Sequence, residues 1–161
     1  MLKKLKFLPL LSLLATTPVF ANTETVTFTG TSTSFCTVTK TADGTLAQNA
    51  ASTTLSTTNS GGSAATFSVG SNGAATLDLD DALTVSAEPA GASTTKTQTI
   101  SVTNSADSSS LYSGDGSAGA SAAISGNATG SIDLAIADSG GGLLAPGTYT
   151  YTKTVTCTLN P

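Results

Sequence analysis

The chain has 161 residues, with six lysines, no arginine and no histidine set against ten carboxylates, for a formal charge of −4. So few cations exclude nucleic-acid binding, which depends on neutralising phosphates with Lys and Arg. Only 10% of residues are charged and Trp is absent, so any core must be thin and aliphatic and a covalent crosslink matters more than usual.

The first 21 residues combine Lys3, Lys4 and Lys6, an apolar run over 7–15 and a Val19-Phe20-Ala21 end. This is the pattern of a secretory signal peptide cut after Ala21. The apolar run is short for a bilayer span and no second long run follows, so no membrane span is expected in the mature chain. What remains, 22–161, fits one domain. It keeps three lysines (Lys40, Lys96, Lys153) against ten carboxylates, a net charge of −7.

From Glu24 to Val38 the even positions carry Val26, Phe28, Gly30, Cys36 and Val38 while threonines occupy the odd positions from 25 to 33. Period two with β-branched residues predicts an N-terminal strand over 24–38. Asp43-Gly44 supplies a turn, and the polar stretch 52–63 reads as loop with one short strand. Asn72-Gly73 lies between β-prone runs at 65–69 and 75–79, the strongest short-range hairpin signal in the chain. Further strands are predicted at 82–87, 95–103, 131–137 and 148–159, with 108–130 as a long loop holding a short strand.

In the last of these, Tyr149, Tyr151, Lys153, Val155, Cys157 and Leu159 share one face and every even position is Thr. Lys153 interrupts that apolar stripe as a charge guarding a strand edge. Six to eight short strands with no helical periodicity argue for an antiparallel sandwich. Two cysteines in an exported chain, Cys36 near the first strand's end and Cys157 in the last strand, predict one structural disulfide joining those strands.

The signal peptide, the alternating segment from Glu24 to Gly30, the Ser34-Phe-Cys-Thr-Val38 that follows and the closing run from Ala145 to Cys157 together resemble secreted pilin-like proteins of the chaperone-usher and spore coat protein U type. The resemblance covers about a quarter of the mature chain, at its two ends. It implies an immunoglobulin-like sandwich lacking one strand, filled by the N-terminal segment of a neighbouring subunit, in the periplasm or on the cell surface of a diderm bacterium. Partners would be further pilin-like subunits, a periplasmic chaperone and an usher. Val26 and Phe28 would be the donor side chains and Gly30 the small residue that lets two backbones approach. Here the partner of the first cysteine lies on the last strand, whereas that family usually places it on the next one. A self-contained sandwich filled by its own final strand is the competing architecture.

Chemistry has little to work with. Without histidine or arginine, a serine nucleophile would need Lys40, Lys96 or Lys153 as its base, and none sits in a motif; no enzyme and no cofactor is expected. Asp78, Asp80 and Asp81 offer hard oxygens to calcium, but the spacing fits a solvated strand end better. Asp43, Glu88 and Asp115 stand alone and read as turn or surface groups. Tyr149 and Tyr151 share parity with Val155 and Leu159, which favours packing over a sugar-stacking platform, and Asn127-Ala-Thr129 reads as a chance match to a glycosylation pattern. The expected role is that of a non-enzymatic exported structural or adhesive protein assembling by strand donation. The alternative is a monomeric secreted module that binds a glycan or calcium.

Overall fold

Threonine and aliphatic alternation builds strands from Cys36 onward, and the described residues contain no helix. The computed structural model describes residues 24–161; the signal peptide expected at 1–21 lies outside them. The chain divides into two units, Met1–Ser32 and Thr33–Pro161. Of the first, residues 24–32 form no strand, and Val26 and Phe28 are 72% and 91% exposed. The strand expected over 24–38 thus begins only at Cys36. Alternation specifies which side chains share a face, but a strand exists only where its N–H and C=O groups meet another backbone.

The second unit holds twelve strands: β1 (Cys36–Ala42), β2 (Ala47–Gln48), β3 (Thr54–Ser56), β4 (Ala65–Ser71), β5 (Ala75–Asp78), β6 (Thr84–Ala87), β7 (Thr94–Asn104), β8 (Ser110–Gly114), β9 (Ser121–Ile124), β10 (Ala128–Asp138), β11 (Thr150–Thr152) and β12 (Thr156–Leu159). All pairings are antiparallel. The largest sheet centres on β10, which pairs with β7 along its whole length, from Ala128 opposite Asn104 to Asp138 opposite Thr94. Its other edge is shared. Residues 128–132 pair with β4, which carries β1 outside it, and residues 135–137 pair with β3, which carries β2. β8 closes the far side on β7. A second sheet runs β12-β5-β9 and a third is the ribbon β11-β6.

The core lies between the first two sheets. Phe67 and Val69 of β4, Ile100 and Val102 of β7 and Ala128 of β10 meet Ala75 and Leu77 of β5, Ala122 and Ile124 of β9, and Leu79. Leu77, Leu79, Ile100, Ile136 and Val102 are its largest fully buried side chains, an aliphatic set as the composition required. Gly130 lies directly opposite Phe67 across the β10–β4 pair, and a Cβ there would come within 2.1 Å of the ring. The glycine is the space that the core's one buried aromatic ring occupies.

Four expectations are corrected. Asn72-Gly73 does not close a hairpin: β4 pairs with β1 and β10, β5 with β12 and β9, so the turn carries the chain between sheets. The Asn72 side chain is spent on the segment entering β1, accepting from the Phe35 amide at 2.7 Å and donating to the Thr33 carbonyl at 2.9 Å. The loop expected at 108–130 contains β8, β9 and the start of β10, because Ala122 and Ile124 complete the core although Ser and Gly dilute the pattern around them. The single strand expected at 148–159 is two, since β11 pairs with β6 and β12 with β5, and the ladder changes partner at 153–155. Finally, the strands form three sheets in place of the two of a simple sandwich.

The disulfide joins Cys36 at the start of β1 to Cys157 in β12, with Cα atoms 5.9 Å apart, inside the range that unstrained bridges span. It ties an edge strand of the large sheet to an edge strand of the second one.

Candidate functional site

Beside the disulfide the two sheets stay apart, and an open groove of about 790 Å3 lies between β1 and the C-terminal arm. One wall is β1 with Val38, Lys40 and Ala42; the other is the arm with Tyr149, Tyr151, Lys153 and Val155. The floor is apolar. Ala65 and Phe67 of β4 and Ile132 and Leu134 of β10 form it, with Leu46 and Leu83 contributed by loops. These side chains line the groove because of parity. Lys40 pairs with Phe67 across β1–β4 and Ile132 with Ala65 across β4–β10, so the alternation that fills the core at one end of each strand faces the groove at the other.

Burial along the arm keeps period two without interruption. Every odd residue from Tyr149 to Leu159 is half-buried and every even one is exposed, straight through the change of ladder partner. β1 is an outer strand of its sheet, β12 of its own, and each strand of the β11–β6 ribbon has a single partner. The groove is therefore bounded by strand edges whose ladder groups are free to pair with another strand.

Polar side chains hold the arm in place. Glu88, just after β6, accepts hydrogen bonds from Thr94 Oγ1 at 2.6 Å and from the Tyr151 hydroxyl, with Lys96 Nζ at 3.0 Å. These partners, Thr94 foremost, pull its carboxyl down to about 2. Burial, then the hydrogen bond to Glu88, raises the Tyr151 phenol above its ordinary range. Lys96 Nζ also lies 5.6 Å over the Tyr151 ring, within cation–π reach. Glu88 was expected to be an isolated surface group; its side chain is 19% exposed and links β6, β7 and β11. The Tyr149 hydroxyl donates to the Ala145 carbonyl at 2.8 Å. Both tyrosines line the groove, and their hydroxyls are committed.

The three aspartates of 78–81 do not converge. Asp78 accepts from the Asp80 amide at 3.1 Å, Asp80 accepts from the Gly119 amide at 2.8 Å, and the Asp81 carbonyl accepts from Lys153 Nζ. The Gly119 hydrogen bond, aided by Asp78, draws the Asp80 carboxyl below the usual carboxylate range. Among the described residues no group of three or more acidic, Cys or His side chains is arranged to hold a metal ion. Asp43 pairs with Lys40 at 2.8 Å at the rim of the groove, and Asp115 caps its own turn through the Ser117 amide.

Sequence reasoning found the arm's parity and the disulfide. It missed the floor: Leu46 and Leu83 lie in loops with no periodic signal, and nothing local shows that Ile132 and Leu134 face an opening. No family model, curated protein or solved structure matches the chain.

Proposed function

We propose that this is an exported, non-enzymatic structural protein of the bacterial surface, whose incomplete immunoglobulin-like sandwich is completed by the N-terminal segment of a second copy. The observation that carries this reading is the apolar groove bounded by unpaired strand edges. Such a groove takes an extended peptide by β-augmentation, in which main-chain hydrogen bonds supply affinity and alternate side chains fill pockets. The chain also carries a matching strand. Val26 and Phe28 alternate with threonines, stand exposed and belong to no sheet. Moving a Phe from nearly full exposure to burial contributes about 2–3 kcal/mol, so the segment gains from a groove of this kind. Gly30 would let the two backbones approach.

A chaperone that occupies the groove before assembly, and an usher that exchanges it for the next subunit's strand, fit the same geometry. The test is gel electrophoresis of the mature protein from its native host, unboiled and boiled, beside a Phe28→Glu variant. A boiling-sensitive ladder that the variant loses is the expected result. A single monomer band in both overturns strand donation and leaves a self-contained secreted binding module.

A further inference from the structure

The lining of the groove is largely apolar, with threonines, Asp43 and two lysines among it, and the two lysines differ. Lys40 is mostly exposed and already paired with Asp43 at 2.8 Å. Lys153 is half-buried, and its ammonium donates to the main-chain carbonyl of Asp81; among the described residues it makes no ion pair, whereas Lys40 and Lys96 each have one. Burial pulls its pKa below the ordinary lysine range, opposed by the more distant carboxylates of Asp81, Asp80 and Asp78. A partly desolvated cation on the wall of a largely apolar groove favours an occupant that brings a carboxylate to that point.

The segment already assigned to the groove contains one carboxylate. Glu24, Val26 and Phe28 share strand parity, so a strand presenting Val26 and Phe28 inward also presents Glu24. We propose that Glu24 of a second copy pairs with Lys153 and thereby sets both the register and the direction of the incoming strand. This rests on the strand-donation reading above.

Direction follows from what lies on either side of Lys153. Counting in twos toward the chain end, the arm presents Val155 and then Cys157, whose bond to Cys36 closes the groove. Counting the other way, it presents Tyr151 and Tyr149, beside a floor that opens over Ala65, Ile132 and Leu134. With Glu24 opposite Lys153, only the second direction gives Phe28 room; the first sets its ring against the disulfide. The donated strand therefore runs antiparallel to the C-terminal arm and parallel to β1, with Val26 facing Tyr151 and Phe28 facing Tyr149. Specificity comes with the charge pair, because an equally apolar strand in the wrong register covers Lys153 while giving it no ionic partner.

Charge exchange in the full-length protein, expressed in its native host, tests this. Glu24→Lys and Lys153→Glu should each weaken the boiling-sensitive ladder about tenfold, and the double variant should restore it. Carbodiimide coupling of mixed light and heavy isotope-labelled copies should join Glu24 of one to Lys153 of another. A wild-type ladder with both single variants unaffected, or with Glu24 coupled to a different lysine, overturns the charge register while strand donation stands. No ladder in the wild type overturns strand donation itself. Glu24→Lys lies outside every strand, so its effect is independent of any folding defect that Lys153→Glu brings.

Discussion

Replacing both Cys36 and Cys157 with alanine is the sharpest test of what holds this fold. The bridge closes a loop with a sequence separation of 121. In the chain-entropy account, releasing a loop of that length restores about 5 kcal/mol of conformational freedom to the unfolded state, and native disulfides of small exported domains are worth about 2–5 kcal/mol in practice. Against the 5–15 kcal/mol typical of a whole domain, this is a large share. Unfolding entropy of about 2.1 cal/mol/K per residue, over about 130 residues, converts each kcal/mol into about 3–4 °C. The double variant should therefore melt about 7–18 °C below the wild type in circular dichroism scans. Reductant should lower the wild-type midpoint by a similar amount and leave the variant unchanged. In urea the variant's unfolding slope should be steeper, because a chain without the crosslink exposes more surface when unfolded. A fall of under about 4 °C, near 1 kcal/mol, would refute the claim that this crosslink decides stability.

Two further predictions concern packing and pH. Gly130→Ala places a methyl 2.1 Å from Phe67 Cζ, and because the conflict is with the tip of a ring held in the core the cost should reach about 2–3 kcal/mol. Urea midpoints measure it, and Phe67→Leu in the same chain should recover part of the loss by making room. Glu88 has a folded pKa of about 2 against an ordinary 4.5. Its stabilising effect is therefore present in full above about 4.5 and is lost as pH falls toward 2. Glu88→Gln should flatten the pH dependence of stability in that window, followed by urea unfolding at steps between pH 6 and 2.5; an unchanged slope would show that the Thr94, Tyr151 and Lys96 contacts do not form.

Local signals and long-range consequences separate cleanly in this chain. β7 could be located from the sequence because Ile100 and Val102 alternate with threonines over a long run, and β12 because Val155, Cys157 and Leu159 do the same. Asn72-Gly73 shows where local chemistry runs out. The dipeptide turns the chain as expected, but whether flanking strands pair is decided by the faces they must bury, and β5 buries Ala75 and Leu77 against the other sheet. β9 was hidden for the opposite reason: Ala122 has too little side chain to stand out among serines and glycines, yet it is buried. Glu88 gave no signal because its partners, Thr94, Lys96 and Tyr151, come from two other strands, one of them 63 residues away.

The groove and the disulfide are two parts of one arrangement. A core of leucines, isoleucines and valines exerts a non-directional pull, and two sheet edges with apolar faces between them would reduce exposed area by closing together. Three contacts oppose that closure without filling the gap. The Cys36–Cys157 bond fixes the separation of the walls at one end. The Glu88 cluster anchors Tyr151 at the ribbon, and Lys153 is tethered to the Asp81 carbonyl between them. The walls are thus held from behind, by groups outside the groove, while their edges and the floor stay open. On the strand-donation proposal, an entering strand would meet a site already formed, and little of its binding free energy would be spent on ordering the host. The same arrangement explains why the expected stripe of the arm carries one lysine. An apolar side chain at 153 would continue the surface from Val155 to Tyr151 and favour collapse or indiscriminate pairing; on the proposed pairing, a cation there would instead favour a strand with a carboxylate in phase.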